Sequence, residues 1–467
     1  MSDVTLSLTA SQHQSLLKHL FPADGCEAVA IGLCGLARGP LRTRLLVRRI
    51  EPIPYSVCTM RRPDGVTWPT EFLVPLLNEA AEHDWAVVKF HGHRGYRQFS
   101  AIDDISDRSL FPGIYSWMDT DAPHASVIIM DDGQIFGRVI DSDGEFSDLV
   151  RVSVVGDDIV HWDVHDTLRN SPPAFGQRIV QTFGVGTYER LRKLRVAVIG
   201  CSGTGSPVIE QLARNCVGSL VLVDPDLVEE KNLNRILNAT MDDANATRLK
   251  VDVAKRAIEA MGLGTTVEVY PKSLFDSDVV RAVSSCDVLF GCMDTIDGRY
   301  LLNKLASFYL LPYFDLGVKI EADGLGGVDQ VCGSVHYLQP GGSSLLSRNV
   351  FTLEQVRAAG MQRIAPEQYR SQVAEGYIHG VQEDRPAVIQ LNSLIASLAV
   401  NELLARLHPY RVDPNSEFAV VRISLSHGIF DREPDGDPCS ILARHVGRGD
   451  VEPLVEWTEL SAQRRVA

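Results

Sequence analysis

The stretch "VAVIGCSGTGS", residues 196–206, decides how the chain is read. An apolar run, Val196 to Ile199, stops on Gly200, and Gly203 and Gly205 follow before the amphipathic "SPVIEQLARNCV". A strand that breaks on glycine and restarts as a helix turns backbone N–H groups toward a phosphate. The spacing is G-x-x-G-x-G, not the G-x-G-x-x-G of a dinucleotide fold.

Working outward, "SLVLVDPD" reads as the next strand and places Asp224 where a carboxylate can hold a ribose hydroxyl. The segment "DLVEEKNLNRI" follows, with Asp226, Asn232, Asn234 and Arg235, and then the helix "RLKVDVAKRAIEAMG" with Lys250. Arg235 and Lys250 supply cations suited to a triphosphate. "TTVEVYP" and "CDVLFGCMD" are strands; Asp294 ends the second and suits Mg²⁺, which takes carboxylate and phosphate oxygens. After the helix "GRYLLNKLASFY" comes the strand "PYFDLGV". Strands alternating with helices imply an α/β, doubly wound, mostly parallel sheet. An NAD-dependent oxidoreductase is the rival reading, but Arg235, Lys250 and Asp294 have no task in it.

The motifs "GCSGTGSPV", "VDPDLVEEKNLNR", "RLKVDVA", "CMDTIDGRYLLN" and "PYFDLGV", in this order, resemble the ThiF/MoeB/HesA group of ubiquitin-activating-type adenylyltransferases over residues 170–410. The resemblance implies adenylation of the C-terminal carboxylate of a ubiquitin-like or sulfur-carrier protein by ATP with Mg²⁺. It casts Asp224 on the ribose, Arg235 and Lys250 on the phosphates, Asp294 on Mg²⁺, and Asn232 and Asn234 as orienting ATP. Arg299 and Asn303 are expected to support the Asp294 turn. It also implies a small β-grasp client, a ubiquitin-conjugating-like enzyme as a further partner, and a homodimer. Many relatives carry paired Cys-x-x-Cys motifs for a structural zinc; this chain has no Cys-x-x-Cys. For a thioester, Cys439 in "DGDPCSILARHVGRGD" is the exposed candidate, with direct transfer to a partner or no thioester as the alternatives.

The front of the chain carries different chemistry. "AVVKFHGHRGYRQFSAIDD" (86–104) reads as a strand running into His91 and His93, then Ser100 and Asp103. Side chains alternate along a strand, so a His-x-His aims both imidazoles at one face. With Asp103 this makes three protein ligands and an open position, the plan of a catalytic zinc. Asp104 is the fallback ligand. With Glu27 upstream in "GCEAVAIGLCG", the pattern resembles the JAB/MPN (JAMM) metalloprotease domain over about residues 10–145. That resemblance implies an α+β fold, Zn²⁺ on His91, His93 and Asp103, Glu27 as general base, and Ser100 stabilising the oxyanion. The loop between His93 and Ser100 is one residue shorter than is usual there, and Arg94 stands in place of a proline.

The expected organisation is therefore 1–150 zinc-peptidase-like, 151–190 linker and entry segment, 191–410 adenylation domain, and 411–467 a strand with a charged tail. The two halves together resemble bacterial ubiquitin-like conjugation proteins, some of which are tied by resemblance to antiphage defence. They imply a bifunctional enzyme that activates a client's C-terminus and cuts a peptide or isopeptide bond there. Two alternatives stand beside it: processing and activation of a sulfur carrier, or a front domain that only binds the client.

The 467 residues carry a net charge of -15, which argues against a general nucleic-acid binder. The basic run "RTRLLVRR" (42–49) alternates like an exposed strand and reads as a solvated face. Nine cysteines are scattered singly, and no apolar run is long enough to span a membrane, which points to a reducing cytoplasm. The apolar stripe on the helix 386–407 suits either a dimer contact or a core face.

Overall fold

A computed structural model describes residues 3–164, 172–322, 325, 327–374 and 388–461. The chain divides into two compact units. The first holds the described residues up to 164, with 308–310 and 445–455; the second holds the rest.

Unit 1 is built on one mixed sheet. Its elements are β1 (Asp3–Thr9), α1 (Ala10–Leu20), β2 (Val29–Arg38), β3 (Arg42–Pro52), a small hairpin of β4 (Met60–Arg62) and β5 (Gly65–Thr67), α2 (Val74–His83), β6 (Ala86–His93), α3 (Ala101–Met118), β7 (His124–Met130), β8 (Ile135–Ile140), β9 (Phe146–Val155) and β10 (Ile159–Asp163). The strand order is β1-β3-β2-β6-β7-β8-β9-β10, and β1 also pairs with β9, so the sheet curls round to meet itself. Alternation along β2 and β6 splits the core. Ala30, Cys34, Val88 and Phe90 face α1 through Leu16 and Leu20. Val29, Ile31, Leu33 and Val87 face α2 and α3 through Leu76, Leu77, Phe111 and Ile114. By the same period of two, Lys89, His91 and His93 lie on the α2/α3 face.

Unit 2 is the doubly wound half. It contains α4 (Gln177–Lys193), β11 (Arg195–Ile199), α5 (Gly205–Arg214), β12 (Ser219–Val223), α6 (Met241–Asn245), α7 (Lys250–Met261), β13 (Thr266–Tyr270), α8 (Ser277–Ser284), β14 (Val288–Gly291), α9 (Ile296–Tyr309), β15 (Tyr313–Ala322), β16 (Val328–Leu338), α10 (Leu353–Ile364), α11 (Pro366–Ala374), α12 (Ile389–Leu407), β17 (Val420–Ser424) and β18 (Ile429–Glu433). The order is β13-β12-β11-β14-β15-β16-β17-β18, parallel from β13 through β15 and antiparallel beyond. Strand order reverses between β11 and β14, which opens a crevice at the carboxyl ends of those strands, the usual ligand position in such sheets.

Several expectations need correction. The segment 151–190 is not a linker: β9 and β10 are strands of the first sheet, and α4 belongs to unit 2. Part of that segment, with the first residues of the "NSPPAFG" break, lies outside the described residues, as do residues 386–387 of the long helix. Beyond 411, β17 and β18 extend the second sheet: β17 pairs antiparallel with β16, and β18 folds back on β17 as a hairpin. Arg44, read as solvated, is buried, and its Nη2 donates to Ser7 Oγ at 3.1 Å. The stripe on α12 is core: Leu391, Ile395, Ala399 and Leu403 are buried within unit 2. No helix among the described residues is long and apolar enough to cross a membrane.

Candidate metal centre and nucleotide site

In unit 1, β6 delivers His91 and His93 to one face, and α3 returns Asp103 to them. His91 Nε2 lies 3.0 Å from Asp103 Oδ1, and His93 Nε2 lies 3.5 Å from Oδ2. Candidate ligand atoms of all three fall within 4.8 Å of one another. The shortened loop is therefore long enough to bring Asp103 back over the strand. His93 Nδ1 lies 3.1 Å from Tyr96 O, which fixes the tautomer that leaves Nε2 open. His91 is 3 % exposed, and neither ring nitrogen has a hydrogen-bond partner among the described residues. Its contact with Asp103 is thus too oblique for a well-formed N–H bond and resembles two ligands aimed at a common point. Buried, unpaired nitrogen beside a carboxylate suits a divalent ion of the zinc type.

Burial keeps the His91 imidazole below its usual pKa. Burial works against ionised Asp103, but the His91 ring and the Ser100 bonds outweigh it and hold the carboxyl well below its usual range. Glu27 sits two residues before β2, close enough to the cluster to feel the charge of Asp103. Burial first, then the charges of Asp103 and Asp64, push its pKa up to about 7. A carboxyl balanced near neutrality can take and give a proton.

Ser100 does a second job. It is the N-cap of α3: its Oγ accepts from Asp103 N at 3.1 Å, and Asp103 Oδ2 accepts from Ser100 N at 2.7 Å. The Ser-x-x-Asp pair is thus a capping box as well as a candidate site, and the cap orients Asp103. Asp104 is not in the cluster, since Arg138 Nη1 claims its Oδ1 at 2.5 Å. The sequence reading passed over a supporting layer. Lys89 is paired with the fully buried Asp107, and Arg138 Nη2 binds the same carboxylate at 2.7 Å. Arg138 is also held between Phe99 and Phe146, its guanidinium carbon 3.9 and 3.7 Å from the ring centres. The signal was available, because Lys89 shares the period of two with His91 and His93. A groove of about 590 Å³ lined by Arg97, Phe99, Phe136, Arg138 and Phe146 opens beside this layer.

In unit 2, the glycine turn sits between the end of β11 and α5. Gly200 has φ +92°, and a Cβ there would stand 2.7 Å from Cys292 O. At Gly205 a Cβ would stand 1.8 Å from Gly200 O, so the turn tolerates no side chain at either place. Asp224 lies at the end of β12 in the same crevice. Its Oδ2 accepts the Cys201 N–H at 2.7 Å and its Oδ1 the Asp226 N–H at 2.9 Å, which ties the two loops together. Burial raises its pKa, against Lys250 and these two donors. Lys250 Nζ is 2.7 Å from Asp226 Oδ2 and 4.0 Å from Asp224 Oδ1. Arg235 donates to Lys231 O and Asn234 Oδ1 at 2.9 and 3.0 Å, and its Cδ lies 3.2 Å from the Cβ position of Gly203. Asn232 is buried, its Oδ1 accepting from Glu229 N at 3.0 Å, so it shapes the loop. Asp294 is exposed two residues beyond Cys292, whose carbonyl packs against Gly200.

Other assignments change. Arg299 is committed to the buried Asp315, its Nε donating at 2.9 Å, and Asn303 Oδ1 accepts from Leu345 N at 2.9 Å. Asn303 therefore fixes the loop that carries Leu345, while Arg299 stays close enough to Asp294 to feel its charge. Cys439 is 3 % exposed, contrary to expectation, because its backbone N–H is bound to Gly342 O at 3.0 Å and draws the residue inward. Cys201 is buried too, and burial pushes its thiol well above the usual range.

This is a crevice of the doubly wound α/β class, with glycine turn, carboxylate and cations gathered at the strand ends. The family is narrower than the class: the ThiF family matches residues 176–432, and the chain belongs to it. Among curated relatives, the chain is 31% identical over 134 residues to "Adenylyltransferase and sulfurtransferase UBA4" of Eremothecium gossypii, covering 28% of this chain and 30% of that one. It is 35% identical over 123 residues to "SAMP-activating enzyme E1" of Haloferax volcanii, covering 26% and 45%. It is 29% identical over 169 residues to "Ubiquitin-like modifier-activating enzyme 5" of Drosophila willistoni, covering 34% and 39%. The chain thus spans less than half the length of these relatives.

Proposed function

We propose that unit 2 activates the C-terminal carboxylate of a small ubiquitin-like or sulfur-carrier protein with ATP, and that unit 1 is a zinc-dependent JAMM-type peptidase acting on a peptide or isopeptide bond at such a tail. The observation that carries the first half is the gathering of the Gly200 turn, Asp224 and Lys250 at the ends of β11 and β12, in a chain of the ThiF family.

The client carboxylate attacks the α-phosphorus of ATP; the bond to the bridging oxygen breaks and pyrophosphate leaves. The N–H groups of the turn and the start of α5 hold phosphate oxygens. Asp224 has lone pairs left after accepting two N–H bonds and takes a ribose hydroxyl. Lys250 and Arg235 neutralise charge on the transferred and leaving groups, so the chain mainly positions and neutralises. Mg²⁺, held by Asp294 and the phosphates, would add to that neutralisation. The burial of Cys439 favours handing the acyl-adenylate to a partner thiol or sulfur donor over forming a thioester on that residue.

In unit 1, His91, His93 and Asp103 would hold zinc, which supplies Lewis-acid activation of water and of the scissile carbonyl. Glu27 takes the proton from the attacking water and returns it to the leaving amine. Ser100 Oγ already accepts the Asp103 N–H, and its own hydroxyl proton remains to be donated to the developing oxyanion.

Two assays test the proposal. Pyrophosphate exchange into ATP should require a β-grasp client ending in glycine and should fail with Asp294→Ala. Cleavage of a C-terminally extended client should be lost with Glu27→Gln and with a chelator. Cleavage that persists through both treatments would remove the peptidase half.

A further inference from the structure

Asn392 plays no part in the reading so far. It lies in the first turns of α12, is 2 % exposed, and has an amide nitrogen with no hydrogen-bond partner among the described residues. That nitrogen is aimed at the glycine turn: it lies 2.4 Å from the position a Cβ would take on Gly203. The Arg235 side chain approaches the same point, its Cδ at 3.2 Å. Gly203 therefore lacks a side chain where the Asn392 amide and the stem of Arg235 converge from different elements. The seat is fixed, because α12 packs on α5, with Gln211 Nε2 donating to Ser397 Oγ at 3.1 Å.

A buried amide N–H without an acceptor is costly, and a natural chain keeps one where an acceptor arrives. The groups around it select that acceptor. A guanidinium, the N–H groups of a glycine turn and the start of α5 all favour anionic oxygen. We infer that Asn392 is a nucleotide-binding residue, its amide donating to a phosphate oxygen of a nucleoside triphosphate seated on the 200–205 turn. The inference rests on the adenylation reading above and adds to it a third donor, carried by the element that follows the family's motifs.

The test uses the full chain with ATP as the probe. Asn392→Ala should weaken ATP binding about tenfold, the size of one lost hydrogen bond to a charged group. Asn392→Asp, which keeps the shape, loses the donor and adds negative charge, should weaken it at least as much. Both should raise the KM for ATP in pyrophosphate exchange. The melting temperature of Asn392→Ala without nucleotide should hold or rise, since an unpaired amide has been removed. Wild-type ATP affinity in both variants would overturn the inference while leaving the adenylation reading in place. A fall in the melting temperature of Asn392→Ala with unchanged affinity would show a structural asparagine and also overturn it. If the wild-type chain binds no ATP, both readings fall together.

Discussion

Asp107 decides most at the scale of single residues. Fully buried, it answers two cations, Lys89 and Arg138, directly behind the histidines. Removing one partner of a buried pair leaves charge without compensation and costs about 3–5 kcal/mol. Asp107→Ala should lower the stability of unit 1 by about that much in urea denaturation, and a loss below about 1 kcal/mol would contradict the network. His124 gives the pH counterpart. Fully buried, with Nδ1 accepting from Val87 N at 3.1 Å, it is held neutral by burial, its pKa lowered from 6.5 to about 4. A histidine with a depressed folded pKa binds fewer protons folded than unfolded. Its contribution is intact above about pH 6.5 and is lost as pH falls toward about 4. By pH 5 the loss is about 2 kcal/mol, and His124→Asn, which can still accept the Val87 N–H, should remove that slope from a pH series of unfolding curves. Of this network only the face of Lys89 was legible in the chain, through its period of two with His91 and His93. Asp107 and His124 lie in separate segments, and no local pattern marks them until the sheet brings them together.

Elements were legible where local and global signals agreed. In unit 2 the short apolar strands β11, β12 and β14 each run into a candidate site residue, Gly200, Asp224 or Asp294, just beyond the strand end. The helix α3 was missed because Pro112 and Gly113 sit inside it and read as a break, while Ser100 and Asp103 were taken only as site residues. The strand β9 was missed because its first half, "FSDL", is polar, and α4 because Gly184 and Gly186 interrupt a charged helix. The capping box of α3 links fold to site. Ser100→Ala should cost about 1 kcal/mol as a lost N-cap. Because the cap also orients Asp103, zinc affinity should fall by at least tenfold, as for a lost outer partner of a metal ligand. Metal content after dialysis against a graded chelator measures this; unchanged retention would show that Asp103 holds its place without the cap.

For the whole molecule, the reading is two sites with two chemistries on one client tail. Variants should separate them: His91→Ala should abolish cleavage and leave exchange, and Lys250→Ala the reverse. The class of the second half could be read because its motifs are short and ordered, and the ThiF family matches them. The position of β17 could not, since its partner β16 lies far off in sequence and such pairing leaves no local mark. The most direct measurement of the central claim is pyrophosphate exchange into ATP with a client ending in a free glycine carboxylate, beside the same client amidated at its C-terminus. Exchange with the free carboxylate and none with the amide is the predicted result; exchange that ignores the amide, or that survives Lys250→Ala and Asp294→Ala, contradicts it.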